Sequence, residues 1–418
     1  MKSEGREVKN AIWVGAATFF AYAACYGARN VLSAIMPQMI NEKVFTHEAF
    51  GGMASSFFLT YGIGQLINGL IGNKIKTKYM VTIGLFMSAI LVAAFPLCGS
   101  VQVSVLLWGF CGFLCSMLWG PISKLVGENT APHLSRIVMT ALSVASIVGT
   151  ALAYLLAAIS FRNGNWKIGF YITGALLAVI SVLWYLCNVW MERAAIIKTY
   201  KPVQKERPHQ NKLKHLFTRG FIFMMIVTML NGIIRNAVSF WIPAFISDKL
   251  KIEIEWVAAV SSVLPVFNLL GSFSSIYLLK FIQHDEKKLC WWFFILATVM
   301  FGVLYLIGER LALLSIVTLF IANAAMVAVC NLIFSVYAMR FADTGKLSGI
   351  SGFLDFTAYM SAAGASIIFA KMSVISWNIV MLAWLVTAFI GMIFAYASYR
   401  HDNVVKYIAC NAKEPAAQ

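Results

Sequence analysis

Twelve stretches of about twenty apolar residues follow one another along this chain, and no other feature narrows its possible folds so far. A run of that length matches what a helix needs to cross the hydrocarbon layer of a bilayer. Inside that layer every backbone N–H and C=O must be satisfied within the protein, so spans this long are helices and not open strands. The chain is 60% hydrophobic and 12% charged over 418 residues, against about a quarter charged in soluble proteins. The sequence therefore predicts an all-α, polytopic membrane protein.

The apolar runs place helices at 11–40, 48–72, 79–97, 101–125, 135–160, 167–191, 217–246, 255–280, 289–307, 310–339, 347–371 and 375–400. The opening residues MKSEGREVKN precede a run too long for a signal-peptide core and without a small-residue cleavage site, so this run is expected to be retained as the first span. Connections are short except at 192–216, which is polar and basic and divides the chain into bundles 11–191 and 217–400, with a leading segment 1–10 and a tail 401–418. With both termini in the cytoplasm, 24 of the 33 Lys and Arg fall on the inner side and seven on the outer side. That bias is the positive-inside pattern, and the inverted topology would put the basic linker outside. Six plus six spans predict two parallel, pseudo-symmetric repeats about an axis along the membrane normal.

The net charge of +16 does not read as a nucleic-acid surface, because the basic residues sit in loops and report topology. The eight cysteines show no CxxC spacing and lie mostly within apolar runs, as small buried residues do. No nucleophile–base pair or metal-ligand cluster stands out, so neither enzymatic chemistry, nor a metal, nor a cofactor is expected.

Two arginines break the apolar pattern. YGARNVLSAIMP at 26–37 and GIIRNAVSFWIP at 232–243 share Arg-Asn-x-x-Ser-x-x-x-Pro: Arg29, Asn30, Ser33 and Pro37, then Arg235, Asn236, Ser239 and Pro243. An arginine near the bilayer centre costs ~2.5–3.5 kcal/mol on insertion scales, so it faces a polar cavity or a partner. Each lies 18 residues into its span by the boundaries above, and both spans run outward, so the repeat puts them at similar depth. Two such cations repel unless an anion arrives, and the guanidinium fork suits carboxylate or phosphate. Tyr22, Tyr26 and Arg29 follow one another at i, i+4 and i+7, on one helix face. Tyr61 and Tyr359 also lie within spans and offer a hydroxyl and a ring wall. Asp355 is the clear intramembrane acid. Its readings are a counter-charge for an arginine, a proton carrier, or a partly exposed carboxylate near the cytoplasmic mouth. Pro37 and Pro243 are expected to kink or terminate their helices.

The two-halved plan resembles the major facilitator superfamily, with GLIGNKIKTKYM at 69–80 similar to a degenerate form of its span 2–3 motif. More specifically, YAACYGAR (22–29), YGIGQLINGLIG (61–72), LWGPISK (118–124, carrying Trp119), IIRNAVSFWIP (233–243) and GKLSGISGFLDFTAYMSAAGAS (345–366) resemble the organophosphate:phosphate antiporters. That resemblance implies that Arg29 and Arg235 hold the phosphate group and that Tyr22, Tyr26, Tyr61 and Tyr359 line the cavity with Trp119. It also implies binding roles at Gln65 and Ser146, and places Gly232 where the family has an aromatic wall. The chain departs from the pattern at these three positions, where glycerol-phosphate members carry lysine, histidine and tyrosine. Loss of bulk there predicts a larger or differently shaped organic group.

The function expected is exchange of a phosphate ester for inorganic phosphate by alternating access of the two halves. Phosphate has a second pKa of about 6, so the substrate alone can make transport pH-dependent. Two other readings stay open: a proton-coupled carboxylate (hexuronate-like) symporter using Asp355, and a transporter-like organophosphate sensor. The expected setting is a bacterial inner membrane, with a monomeric chain, the lipid bilayer around it, small anions as ligands and no nucleic-acid partner.

Overall fold

A computed structural model describes residues 2–71, 75–197, 219–282, 285–344 and 347–411. Most of the basic linker expected at 192–216, part of the loop after the second span, and residues 412–418 lie outside these. The described chain is helical almost throughout. Twelve consecutive segments are labelled α1 to α12. The first six are α1 (Lys2–Asn41), α2 (His47–Ile71), α3 (Thr77–Ala94), α4 (Val101–Cys115 and Trp119–Asn129), α5 (Pro132–Arg162) and α6 (Lys167–Arg193). The seventh, α7, comprises Arg219–Gly232, a π-helical turn Ile233–Val238 and Ser239–Asp248. Then come α8 (Ile254–Ser261 and Leu264–Phe281), α9 (Glu286–Ile307), α10 (Ala312–Asn331 with a π-helical turn Leu332–Tyr337), α11 (Leu347–Ile375) and α12 (Trp377–Asn411).

Eleven of these segments are long and apolar enough to cross a membrane, among the described residues. The remaining one, α2, has the length, but its Gly, Ser, Gln and Asn content lowers its hydropathy. Helix ends differ from the hydropathy boundaries where polar residues continue a helix, as at Lys2–Asn10 and at 401–411. Pro37 and Pro243 terminate nothing: α1 runs on to Asn41 and α7 to Asp248.

The chain forms two compact units. Among the described residues, the first holds 2–197, Phe240–Leu269 and Ala363–Ile375, and the second holds 219–239, 270–362 and 376–411. The C-terminal parts of α7 and α11 and the start of α8 thus belong to the first unit.

In the first unit, α1 packs along α5 and α6, α2 along α4, and α3 along α6. Small residues let the backbones approach, as expected where no hydrophobic force distinguishes protein from lipid. A Cβ at Gly112 would lie 2.7 Å from Thr60 Oγ1, and Thr60 donates to Gly109 O at 2.5 Å. Asn68 donates to Ser116 Oγ at 2.7 Å further along the same seam. Lys78 of α3 pairs with Glu192 of α6, and Trp184 Nε1 donates to Lys78 O at 3.3 Å. Segment 240–248 is held by Ser33 Oγ donating to Phe240 O (2.7 Å) and by His47 Nε2 against Asp248 Oδ2 (2.7 Å).

In the second unit, α9 packs against α10 and α12, and α12 against the first part of α7. Arg340 pairs with Glu286 at 2.6 Å, and Asn331 Nδ2 donates to Ser272 Oγ at 2.5 Å.

Candidate functional site

In the first unit Arg29 leaves α1 into a set of rings. Its guanidinium carbon lies 5.2 Å from the Tyr61 ring centre, 5.5 Å from Tyr26 and 5.9 Å from both Phe57 and Phe58. Each such contact stabilises a cation by ~0.5–1 kcal/mol when exposed and ~2 kcal/mol or more when desolvated. The rings are themselves packed: Tyr61 stacks on Phe57 at 6.0 Å, and Tyr22 lies edge-on to Tyr26 at 5.0 Å and 5.3 Å from Trp119. Gln65 Nε2 donates to Tyr61 Oη at 3.0 Å, one turn along α2. The structure thus brings Tyr22, Tyr26, Arg29, Tyr61, Gln65 and Trp119 into one connected group.

Ser146 enters differently. Its hydroxyl turns back to Ser143 O at 2.7 Å on its own helix. One turn further along α5, Thr150 accepts from Asn30 Nδ2 at 3.1 Å while the same amide donates to Tyr26 O at 2.8 Å. Asn30 and Thr150 therefore fix the turn between Tyr26 and Arg29. Gly149 makes this close seam possible, since a Cβ there would lie 2.8 Å from the Tyr26 Cβ. Phe57 and Phe58 were not singled out from sequence. Phe57 precedes Tyr61 by four residues, the helical spacing that could have marked it.

In the second unit Arg235 projects from the π-helical turn. Arg29, its sequence equivalent, lies in regular α-helix. Arg235 Nη2 lies 4.0 Å from Asp355 Oδ1, and its guanidinium carbon 5.8 Å from the Tyr359 ring centre. Asp355 and Tyr359 are one turn apart on α11. Ser239 Oγ donates to Asn323 Oδ1 (2.7 Å) and Asn231 Nδ2 to Met326 O (2.6 Å), which tie both sides of the turn to α10. Turns with i→i+5 bonding inside an α-helix are frequent at functional positions.

Gly232 corrects an expectation. Its missing side chain does not widen a cavity, because a Cβ there would lie 2.6 Å from the Ala358 Cα. The position is filled by the backbone of α11.

Sequence-equivalent arginines in two compact units of a polytopic helical bundle define the class of the protein: a membrane carrier fold with a partly buried cationic centre in each unit. The sequence profile of the Major Facilitator Superfamily matches residues 18–366, and the chain belongs to that superfamily. Among curated relatives, a probable hexose phosphate transport protein of Chlamydia muridarum is 24% identical over 165 residues, 40% of this chain and 36% of that one. A membrane sensor protein, UhpC, of Escherichia coli is 26% identical over 44% of this chain and 40% of its own length. The glucose-6-phosphate exchanger SLC37A2 of Bos taurus is 20% identical over 79% of this chain and 77% of its own. The chain thus spans about two-fifths of the length of the first two relatives. These names agree with the organophosphate:phosphate antiporter resemblance read from the motifs. Among solved structures, a point mutant of the nucleoside transporter NupG superposes with a TM-score of 0.74 at 14% identity, covering 93% of this chain and 99% of that one. This likeness establishes the fold.

Proposed function

We propose that this protein is a secondary transporter for a phosphorylated organic anion, exchanging a sugar phosphate or related ester for inorganic phosphate by alternating access. The observation that carries the reading is the repeated intramembrane arginine. Arg29 and Arg235 occupy equivalent places in a doubled motif, Arg29 beside Tyr26 and Tyr61 and Arg235 beside Tyr359, tyrosines that the resemblance assigns to the cavity. Phosphate offers oxygens to both guanidinium forks, and its charge offsets the cost of keeping two cations within the membrane. Tyr22, Tyr26, Tyr61, Trp119 and Tyr359 supply ring faces and hydroxyls for the organic part, and Gln65 supplies a neutral amide. Ser146 serves through the α5 backbone that supports Thr150. The bodies that rock are the bundles 11–191 and 217–400, around a site near mid-membrane. Placement in a bacterial inner membrane as a monomer, with both termini cytoplasmic, completes the proposal.

The test is ligand-induced stabilisation. A ligand that binds only the folded protein raises its unfolding temperature by mass action. Inorganic phosphate and hexose phosphates should stabilise the purified protein, and the unphosphorylated sugars and hexuronates should not. Stabilisation by hexuronates with no response to phosphate would sink the reading in favour of a carboxylate carrier. The relative named as a membrane sensor supports a second reading, in which the protein binds an organophosphate without moving it. Binding with no flux in sealed vesicles would favour that one.

A further inference from the structure

Four aromatic rings lie within 6 Å of the Arg29 guanidinium carbon, and the Asp355 carboxylate lies 4.0 Å from Arg235 with the Tyr359 ring at 5.8 Å. We infer that Asp355 is a displaceable internal counter-anion for Arg235, brought within reach by Gly232, and that it balances the charge of the empty site until phosphate takes its place. The inference rests on the transport reading above and deepens it.

Three contacts between α7 and α11 fall at three-residue steps along both helices. Ser361 Oγ donates to Met229 O at 2.7 Å, Gly232 meets Ala358, and Arg235 meets Asp355. The middle contact is backbone against backbone, so any side chain at 232 must push α11 away. The hydroxyl contact on one side of it fixes the register. The ion pair on the other side follows from these two, which makes Gly232 a positioning residue for the acid.

The pair itself is suited to exchange. At 4.0 Å it is longer than the ~2.7–2.9 Å of a charge-assisted hydrogen bond, so it attracts without fixing a bidentate geometry. The two side chains keep 19% and 24% of their surface exposed while Arg235 Nε and Nη2 themselves are buried, so an arriving anion engages the fork only as the guanidinium turns from Asp355. A phosphate that engages Arg235 bidentately competes with Asp355 for the same cation and repels it. Asp355 therefore weakens phosphate binding and stabilises the empty carrier. It lowers the barrier for return without cargo, and its removal should make the carrier a stricter exchanger.

The experiment compares the full-length wild type with Asp355→Asn, Asp355→Glu, Gly232→Ala and the Gly232→Ala/Asp355→Asn double variant. Binding of inorganic phosphate is measured in detergent. Phosphate exchange and net phosphate efflux are measured in vesicles. Asp355→Asn should bind phosphate about tenfold more tightly, equivalent to about 1.4 kcal/mol, and lose net efflux more than exchange. Asp355→Glu should restore wild-type affinity. Gly232→Ala should shift affinity as Asp355→Asn does, and the double variant should add nothing further. Unchanged or weaker phosphate binding by Asp355→Asn overturns the inference, as does an additive double variant. If Gly232→Ala does not fold, the comparison of Asp355→Asn with Asp355→Glu decides alone. A wild type that does not bind phosphate removes the transport reading and the inference together. A wild type that binds phosphate while Asp355→Asn behaves like it removes only the inference.

Discussion

Replacing Arg29 with lysine keeps the charge and removes the fork. In the proposed complex two parallel N–H···O bonds to phosphate become one, because an ammonium is a point donor on a flexible stem. Hydrogen bonds to charged groups contribute ~1.5–3 kcal/mol each, so phosphate affinity should fall by about 10- to 150-fold. The aromatic surroundings sharpen the loss. Tyr26, Phe57, Phe58 and Tyr61 lie 5.2–5.9 Å from the guanidinium carbon and fit a flat group. Asn30 and Thr150 hold the turn that aims it. Displacement of labelled phosphate from purified protein measures the affinity, and thermal unfolding without ligand checks that the fold survives. Arg29→Lys with phosphate affinity within about threefold of wild type, and full exchange, would refute the bidentate account.

Packing predictions follow from the same coordinates. Gly149→Leu should destabilise the first unit by more than the ~1–3 kcal/mol typical of overpacking, because even a Cβ would lie 2.8 Å from the Tyr26 Cβ; loss of a monodisperse, heat-stable protein in detergent is the readout. Ser33→Ala removes the donor to Phe240 O and should cost ~0.5–1.5 kcal/mol, read as a lower unfolding temperature with substrate selectivity unchanged. Lys78→Met leaves Glu192 on α6 without the cation that α3 supplies. Because Lys78 is buried and Glu192 only a quarter exposed, the loss should exceed the ~1 kcal/mol of an exposed pair, and high salt should change the difference from wild type little.

The fold was legible because hydropathy and charge placement act on whole segments. Span ends were placed within a few residues where loops are apolar-to-polar switches, as at Ile307 and Arg193. Hydropathy reports where lipid ends and not where a helix ends, so it missed the helical continuation through Lys2–Asn10. The breaks in the helices were read unevenly. The non-helical step at 116–118 in α4 lies where Pro121 cannot donate to Met117 O and its ring crowds that carbonyl, a signal present in the sequence; the π-helical turn Ile233–Val238 contains no Gly or Pro of its own. In the candidate site, the doubled motif marked both arginines, and helical spacing marked Tyr22 and Tyr26. Gly232 was misread because a glycine within a span looks the same whether it opens a cavity or admits a neighbouring backbone; only the position of Ala358 tells them apart. Thr150, and not Ser146, meets Asn30 because the contact lies one turn further along α5. That offset reflects helix crossing, which sequence spacing does not encode.

Flux in sealed vesicles tests the central claim most directly. Vesicles carrying the purified protein and loaded with unlabelled phosphate are diluted into labelled phosphate, with and without internal sugar phosphates. Exchange predicts uptake that requires an internal phosphate or phosphate ester, is accelerated by the transported sugar phosphate, and is lost in both Arg29→Lys and Arg235→Lys. Uptake driven by an inward proton gradient, indifferent to internal phosphate and competed by hexuronates, would contradict it.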